Sequence, residues 1–355
     1  MYPLNEAQPY PFRQWWMIAY SWEVTRSILG RTILGERVVL YRTNAGEAIV
    51  MSGICPHRMY PMEKGQLVGD SIQCGYHGIR YDKSGRCDLV PTQKSAVPAS
   101  LRRYPVAEIG GSIWVWTGES ELADPGLMPP LARMGIGADG WKVVETDGPI
   151  HLEGRYTLLI DNLLDLSHAT FIHSDTIPGA ELLAKLPCEV LKDDKSYNNR
   201  RVARNIPSNP FIRALFPDFD GMMDEQFDAE YFGPGLVRTG GDFLVSGTDR
   251  RLGTVNFVHI MTPETPGTTH YFISTTRDIR LDDPAIDGLF LDQNKYTGPQ
   301  DTAAIASIER VLQSGSALPQ EISVRADVGS IQVRRILAAQ IRAEVESKRS
   351  GSTAL

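Results

Sequence analysis

The feature that most constrains this chain is a pair of short loops in CPHRMYPMEKGQLVGDSIQCGYHG, residues 55–78. Each loop supplies one thiol and one imidazole, as Cys55-x-His57 and Cys74-x-x-His77, with sixteen residues between the pairs. A structural zinc site also takes Cys and His, but its usual spacing groups like ligands together. Mixed ligands in each loop suit a two-metal cluster, because each loop then gives one ligand to each metal. With two thiolates on one iron and two imidazoles on the other, such a [2Fe-2S] centre is less negative and more oxidising than an all-cysteine cluster. Pro56 stiffens the first loop, while Gly75 and Gly78 let backbone N–H groups approach the sulfurs.

A cluster of this kind occupies only part of a chain of 355 residues, a length that exceeds the usual single core and predicts two domains. The formal charge of −7 argues against nucleic acid or an anionic membrane surface as partner, since both demand a basic footprint. Four cysteines, Cys55, Cys74, Cys87 and Cys188, are too few for a disulfide framework and fit a reducing cytoplasm. Cys87 and Cys188 then read as small buried hydrophobes. No secretory leader pattern opens the sequence, and no run of about 18 apolar residues suggests a membrane span.

Up to residue 118 the pattern is all-β. RVVLYR and AIVMSG form a hairpin across TNAGE, a second turn falls at DKSG, and a third at the Gly pair of YPVAEIGGSIWVWTG. Residues 119–140, rich in Pro and Gly, read as a linker, which gives domains of 1–118 and 141–355. The second is α+β: a helical stretch at LLIDNLLDLSHATFIH, strands including WKVVETDGP, VNFVHIM and HYFISTT, and two late helices. The polar tail KRSGSTAL reads as disordered.

Within that helical stretch, Asn162, Asp165 and His168 repeat every three residues, and His173 follows five after His168. Five residues turn a regular helix by about 500°, which leaves the imidazoles about 140° apart. A π-bulge or a helix end would bring them together, and two His with one carboxylate form the facial triad of non-haem Fe(II) oxygenases. The alternative is one capping and one core histidine. Downstream, Asp301 precedes Ile305, Ile308 and Leu312 at helical spacing, so it reads as either an inward-facing ligand or an N-cap opening that helix. His259 alternates with Val255, Phe257 and Met261 on one strand face, where a satisfied core histidine is the plain reading.

C-P-H-R followed by C-G-Y-H-G resembles the Rieske domain of the ring-hydroxylating oxygenases, and no extra cysteine adjoins either pair as in respiratory Rieske proteins. Across nearly its full length the chain resembles the vanillate O-demethylase and dicamba monooxygenase group. That resemblance implies an N-terminal Rieske [2Fe-2S] domain and a C-terminal helix-grip catalytic domain with an antiparallel sheet. It implies Cys55, His57, Cys74 and His77 on the cluster, and His168, His173 and Asp301 on a mononuclear Fe(II), with Asp292 and Asp287 as substitutes for the last. Asp165 would bridge His168 to His77 of a neighbouring subunit in a head-to-tail homotrimer, Asn162 would lie near the iron, and His259 would bind the carboxylate of an aromatic acid.

The implied activity is monooxygenation, as O-demethylation or hydroxylation of an aromatic acid in aromatic catabolism. O2 is the oxidant, and electrons come from NAD(P)H only indirectly, through a separate ferredoxin or flavin reductase. Hydroxylation of an alkyl or sulfonated aromatic is the second enzymatic reading. A Rieske electron carrier or sensor without catalytic iron is the reading from another class.

Overall fold

The computed structural model describes residues 8–177, 179–192 and 196–352. They form two compact units, one of Phe12–Met128 with Thr262–Pro266, the other of the described residues up to Pro11, Pro129–Met261 and the chain from Gly267 onward. The chain passes from one to the other at Met128 and Pro129, among 3-10 turns at Ser120–Leu122, Pro125–Leu127 and Leu131–Met134. Two short segments differ from a division into consecutive spans, and hydrogen bonds account for both. Thr262 Oγ1 donates to Met17 O at 2.6 Å, while Leu34 N and Gly35 N donate to Pro263 O and Glu264 O at 2.8 Å. Gln8 Nε2 donates to Glu344 Oε2 at 2.8 Å, which holds the N-terminal segment to the C-terminal helix.

The first unit is a set of small antiparallel sheets. Strands Leu29–Ile33, Glu36–Arg42 and Ala48–Ser52 form one, with the last two joined across the TNAGE turn. Val106–Ile109 and Ser112–Trp116 meet across Gly110 and Gly111, both at positive φ, and Trp15–Tyr20 pairs on the far side. Gln66–Val68, Ser71–Gln73, Arg80–Tyr81 and Cys87–Leu89 form a four-stranded sheet, and Ile54–Cys55 pairs with Tyr60–Pro61. Val39, Tyr41, Met51, Ile72 and Tyr81 pack with Cys55, Cys74 and Cys87 into one apolar core. Burial beside these aliphatic and aromatic side chains is what seats the two thiols.

The second unit is built on an eight-stranded sheet. Its order runs Lys142–Glu145, Thr268–Arg277, Arg251–Thr265, Leu236–Val245, Met222–Gly233, Tyr197–Pro207, Glu189–Lys192, with Ile150–Leu152 also on Thr268–Arg277. Against it lies a 30-residue helix, Pro284–Gln313, capped by Asp283, whose carboxylate accepts from Ala285 N. The buried residues Ile286, Phe290, Asn294, Gly298, Asp301, Ile305 and Glu309 recur every three or four positions, so one stripe faces inward. Phe290 meets Phe257 edge-on at 5.8 Å and Asn294 Nδ2 donates to Thr275 Oγ1 at 3.0 Å, which fixes that stripe on the sheet.

Three sequence expectations change here. Asp301 does not open a helix: it lies in the middle of one, because the helix begins at Pro284 and continues through Pro299. The second late helix, Val328–Ser352, runs past Lys348 into the expected disordered tail, whose last three residues lie outside the described ones. Cys87 is buried as expected, but Cys188 is exposed, in the turn leading to the edge strand Glu189–Lys192.

Candidate metal centres

The two loops of the first unit close in the same way. Met59 N donates to Cys55 O at 2.9 Å and Gly78 N to Cys74 O at 3.1 Å, with both fourth residues at positive φ. Each cysteine thus anchors the start of a tight loop in the core, and its histidine lies exposed nearer the tip. The imidazoles of His57 and His77 come within 4.7 Å, centre to centre, at 74°. Backbone N–H groups of Tyr76 and His77 point at Cys74, whose thiol pKa is nevertheless raised, chiefly by burial. Tyr81 Oη reaches Cys55 Sγ at 3.5 Å. Gly75 has a further reason to be glycine, since a Cβ there would stand 2.4 Å from Lys64 O. Two buried, unpaired thiols behind two adjacent exposed imidazoles fit a mixed-ligand two-iron cluster.

In the second unit the helix Tyr156–Leu164 ends at Asp165, whose φ of −114° and ψ of 88° break the spiral. A 3-10 turn, Leu166–His168, and a single helical turn, Ala169–Ile172, follow, and His173 closes that turn. The expected rotation of about 140° is therefore cancelled by a helix end and a 3-10 turn, not by a π-bulge. The rings of His168 and His173 lie 5.3 Å apart at 75°.

Asp301 Oδ1 sits 3.4 Å from His168 Nε2 and 3.1 Å from His173 Nε2, and one ligand atom from each residue lies within 4.8 Å of the others. His168 Nδ1 bonds the backbone carbonyl of Asp165 at 2.7 Å, and His173 Nδ1 bonds Gln300 Oε1 at 2.8 Å. Carbonyl oxygens only accept, so both Nδ1 atoms carry a proton, and each ring turns its Nε2 toward the Asp301 carboxylate, which raises the His173 pKa against the effect of burial. Burial alone would raise the Asp301 pKa, but the two imidazoles outweigh it and hold the carboxyl well below its usual range. Asn162 Nδ2 donates to Asp301 Oδ1 at 3.3 Å, while its Oδ1 is buried without a partner among the described residues. Two inward Nε2 atoms, an ionised carboxylate and an orphaned amide oxygen form a donor set that suits a divalent cation once the Nε2 protons are given up.

The other expected residues fall as follows. The Asp165 carboxylate does not reach His168; it accepts from Ser167 N at 3.0 Å, Ser167 Oγ at 2.9 Å and Arg201 Nη2 at 3.2 Å. The residue fixes His168 through its backbone carbonyl instead, because it caps the 3-10 turn. Asp287 pairs with Arg277 at 2.5 Å and Asp292 is exposed, so neither joins the triad. His259 lines the same cavity as His168, His173 and Asp301, with Thr239 Oγ1 2.9 Å from Nε2 and Tyr271 Oη 2.6 Å from Nδ1. Burial lowers its pKa to about 4, so it is neutral at physiological pH. The cavity, about 120 Å³ in volume and partly open to solvent, lies between the triad and the sheet.

Sequence reasoning passed over Gln300, since a polar residue beside a supposed helix start carries no orientation. It also passed over an ion pair between the segments that carry the candidate metal ligands. Arg155, at the start of the helix that precedes the two histidines, donates to both oxygens of the buried Glu309 at 2.7 and 2.6 Å.

Comparison with known proteins agrees with this geometry. Residues 14–105 match the Rieske [2Fe-2S] domain family, and residues 152–343 match the vanillate O-demethylase oxygenase C-terminal domain family. The dicamba O-demethylase oxygenase component of Stenotrophomonas maltophilia is 32% identical over 83% of this chain and 87% of its own. The vanillate O-demethylase oxygenase subunit of a Pseudomonas species is 27% identical over 95% and 97%. A crystal structure of dicamba monooxygenase bound to 3,6-dichlorosalicylic acid superposes with a TM-score of 0.83 at 27% identity, covering 94% of this chain and 98% of that one. With both domain families matched in order along one chain, this protein belongs to the Rieske oxygenase components that carry the vanillate O-demethylase oxygenase C-terminal domain.

Proposed function

We propose that Cys55, His57, Cys74 and His77 hold the [2Fe-2S] cluster, that His168, His173 and Asp301 hold a mononuclear iron, and that the enzyme oxygenates an aromatic substrate in the cavity beside them. The observation that carries this reading is the triad itself, three ligand atoms within 4.8 Å at the wall of an apolar cavity. When bound, the cluster delivers electrons singly and the iron supplies O2 activation. The protein's part is positional. Asp165 O and Gln300 hold the two imidazoles in one tautomer, Asn162 holds the Asp301 carboxylate, and phenylalanines on the sheet exclude water from the reacting carbon.

Oxygenation needs two electrons beyond those of the substrate, so a reductase fed by NAD(P)H is part of the system. Attack on a methoxy C–H gives a hemiacetal that collapses to a phenol and formaldehyde, and the second oxygen atom leaves as water after taking two protons. Attack on a methyl or ring carbon gives an alcohol or phenol. Relatives named for O-demethylation of vanillate and dicamba support the first outcome.

The assembly we propose is a head-to-tail homotrimer in which His77 of one subunit meets the Asp165 side of the next. Apolar side chains left in water at both faces support it: Met59 and Tyr76 beside the cluster histidines are 68% and 59% exposed, and Phe171 beside His168 is 77% exposed. Unpaired cysteines support a cytoplasmic setting, and among the described residues no helix is long and apolar enough to cross a membrane.

The test is iron and acid-labile sulfide per chain on anaerobically purified protein, with a His168→Ala variant alongside. About three irons to two sulfides, falling to two irons in the variant with the visible spectrum kept, is the expected result. Two irons in both proteins would remove the catalytic iron and leave an electron carrier.

A further inference from the structure

The cavity has a second end that the triad does not use. Alternate residues of three neighbouring strands face it: Glu225 and Phe227, Thr239, Gly241 and Phe243, and Val255, Phe257 and His259. Glu225 pairs with Phe243, which pairs with Gly253, and His259 lies six residues farther along that strand. At roughly 3.3 Å per residue the two positions are about 20 Å apart along the strand axis, several times the span of one aromatic ring. Phe227 and Phe257 line the stretch between them, with Phe243 level with Glu225, and a Cβ on Gly240 or Gly241 would collide with backbone oxygens of Val255 or Gln226.

Among the described residues the Glu225 carboxyl has no hydrogen bond or ion pair, and none of those lining the cavity is a lysine or arginine. Burial in this apolar wall pushes its pKa up to about 8. At neutral pH it therefore presents both an O–H donor and a carbonyl acceptor to whatever reaches it. A substrate carboxylate or sulfonate at this end would be desolvated with no cation to compensate, and would share at most one proton with Glu225.

We propose that Glu225 is the remote specificity residue of an elongated substrate site: the substrate extends past its reacting end along the phenylalanine-lined wall, presents an N–H or O–H donor to Glu225, and bears no anionic group there. This rests on the oxygenase reading for which end reacts, and it leaves the group beside His259 unrestricted.

The test is calorimetric binding to the holoenzyme of three two-ring probes: 4′-methoxybiphenyl-4-carboxamide, the matching 4-carboxylate, and 4-methoxybiphenyl. The carboxamide is expected to bind at least tenfold more tightly than the carboxylate. In Glu225→Leu the carboxamide's affinity falls to that of 4-methoxybiphenyl, and in Glu225→Gln, which like the protonated acid keeps a donor and an acceptor, the preference for the carboxamide stays within threefold of wild type, with iron and sulfide content unchanged in both. Equal affinities in the wild type, an unchanged carboxamide affinity in Glu225→Leu, or failure of every two-ring probe to bind would overturn the proposal. Binding is read without turnover, so absence of formaldehyde from all probes in the reductase-coupled assay counts against the oxygenase reading alone.

Discussion

At the scale of single residues, the site is set by what holds its ligands more than by the ligands themselves. Gln300 accepts from His173 Nδ1 and also from Thr176 Oγ1 at 2.9 Å, so the amide is itself held in place. Gln300→Ala is expected to weaken iron binding about 10- to 100-fold, as loss of a partner behind a metal ligand typically does. A chelator titration of the purified enzyme measures it, and unchanged affinity would show the tautomer is fixed by other means. Glu225 makes a pH prediction. Its pKa rises from 4.5 to about 8 in the folded chain, so between those values the fold holds a proton that the unfolded chain releases. Its contribution is present below pH 4.5 and is lost as pH rises toward 8. Glu225→Gln lacks this loss, so its stability relative to wild type grows with pH, by up to about 1.4 kcal/mol per unit. Urea denaturation at pH 5, 7 and 9 reads the trend, and a flat difference would mean an ordinary carboxyl. These residues were illegible in the sequence for one reason: Gln300 and Glu225 acquire meaning only from neighbours more than a hundred positions away in one case, and from two adjacent strands in the other.

At the scale of elements, two devices bring ligands into register. The second cluster loop folds back against Lys64 O, and a methyl group on Gly75 would press on that backbone at 2.4 Å. Gly75→Ala is expected to cost about 1–3 kcal/mol and to lower the acid-labile sulfide recovered, because the strained loop displaces Cys74 and His77 together. Full sulfide with an unaltered visible spectrum would contradict this. The other device is the Arg155–Glu309 pair, which locks the helix that leads into the two histidines to the helix that carries Asp301. Glu309→Ala takes both carboxylate oxygens away from a mostly buried guanidinium, at a cost of about 3 kcal/mol. Reduced iron with normal sulfide is the expected signature, since the pair lies in the second unit alone. The hairpins at TNAGE, DKSG and Gly110–Gly111 were legible because a turn is written in its own residues. The long helix was not: Pro299 and Gly298 look like a break, and only the tertiary packing of Gly298 against Ile150 and Ile273 carries the helix through them.

At the scale of the whole molecule, the proposed trimer makes Phe171 the apolar contact nearest the catalytic triad. Phe171→Glu is expected to shift sedimentation from three times the 39.4 kDa chain toward one, and to abolish substrate-coupled O2 uptake with both metal contents kept. A trimer that persists with full uptake would place the interface elsewhere. The sequence by itself marked the candidates: ligand type and spacing, which are local, point Cys55, His57, Cys74 and His77 to a mixed-ligand cluster, and the resemblance of the chain points His168 and His173 to a second metal. What only the tertiary structure decided is the completion of that site. It placed Asp301 in mid-helix facing the imidazoles, made the Asp165 carbonyl rather than its carboxylate the support for His168, and left an acid at the far end of the cavity. The physical reason is that a ligand's identity is a property of its side chain, whereas its direction, its burial and its proton are set by whatever the fold packs against it.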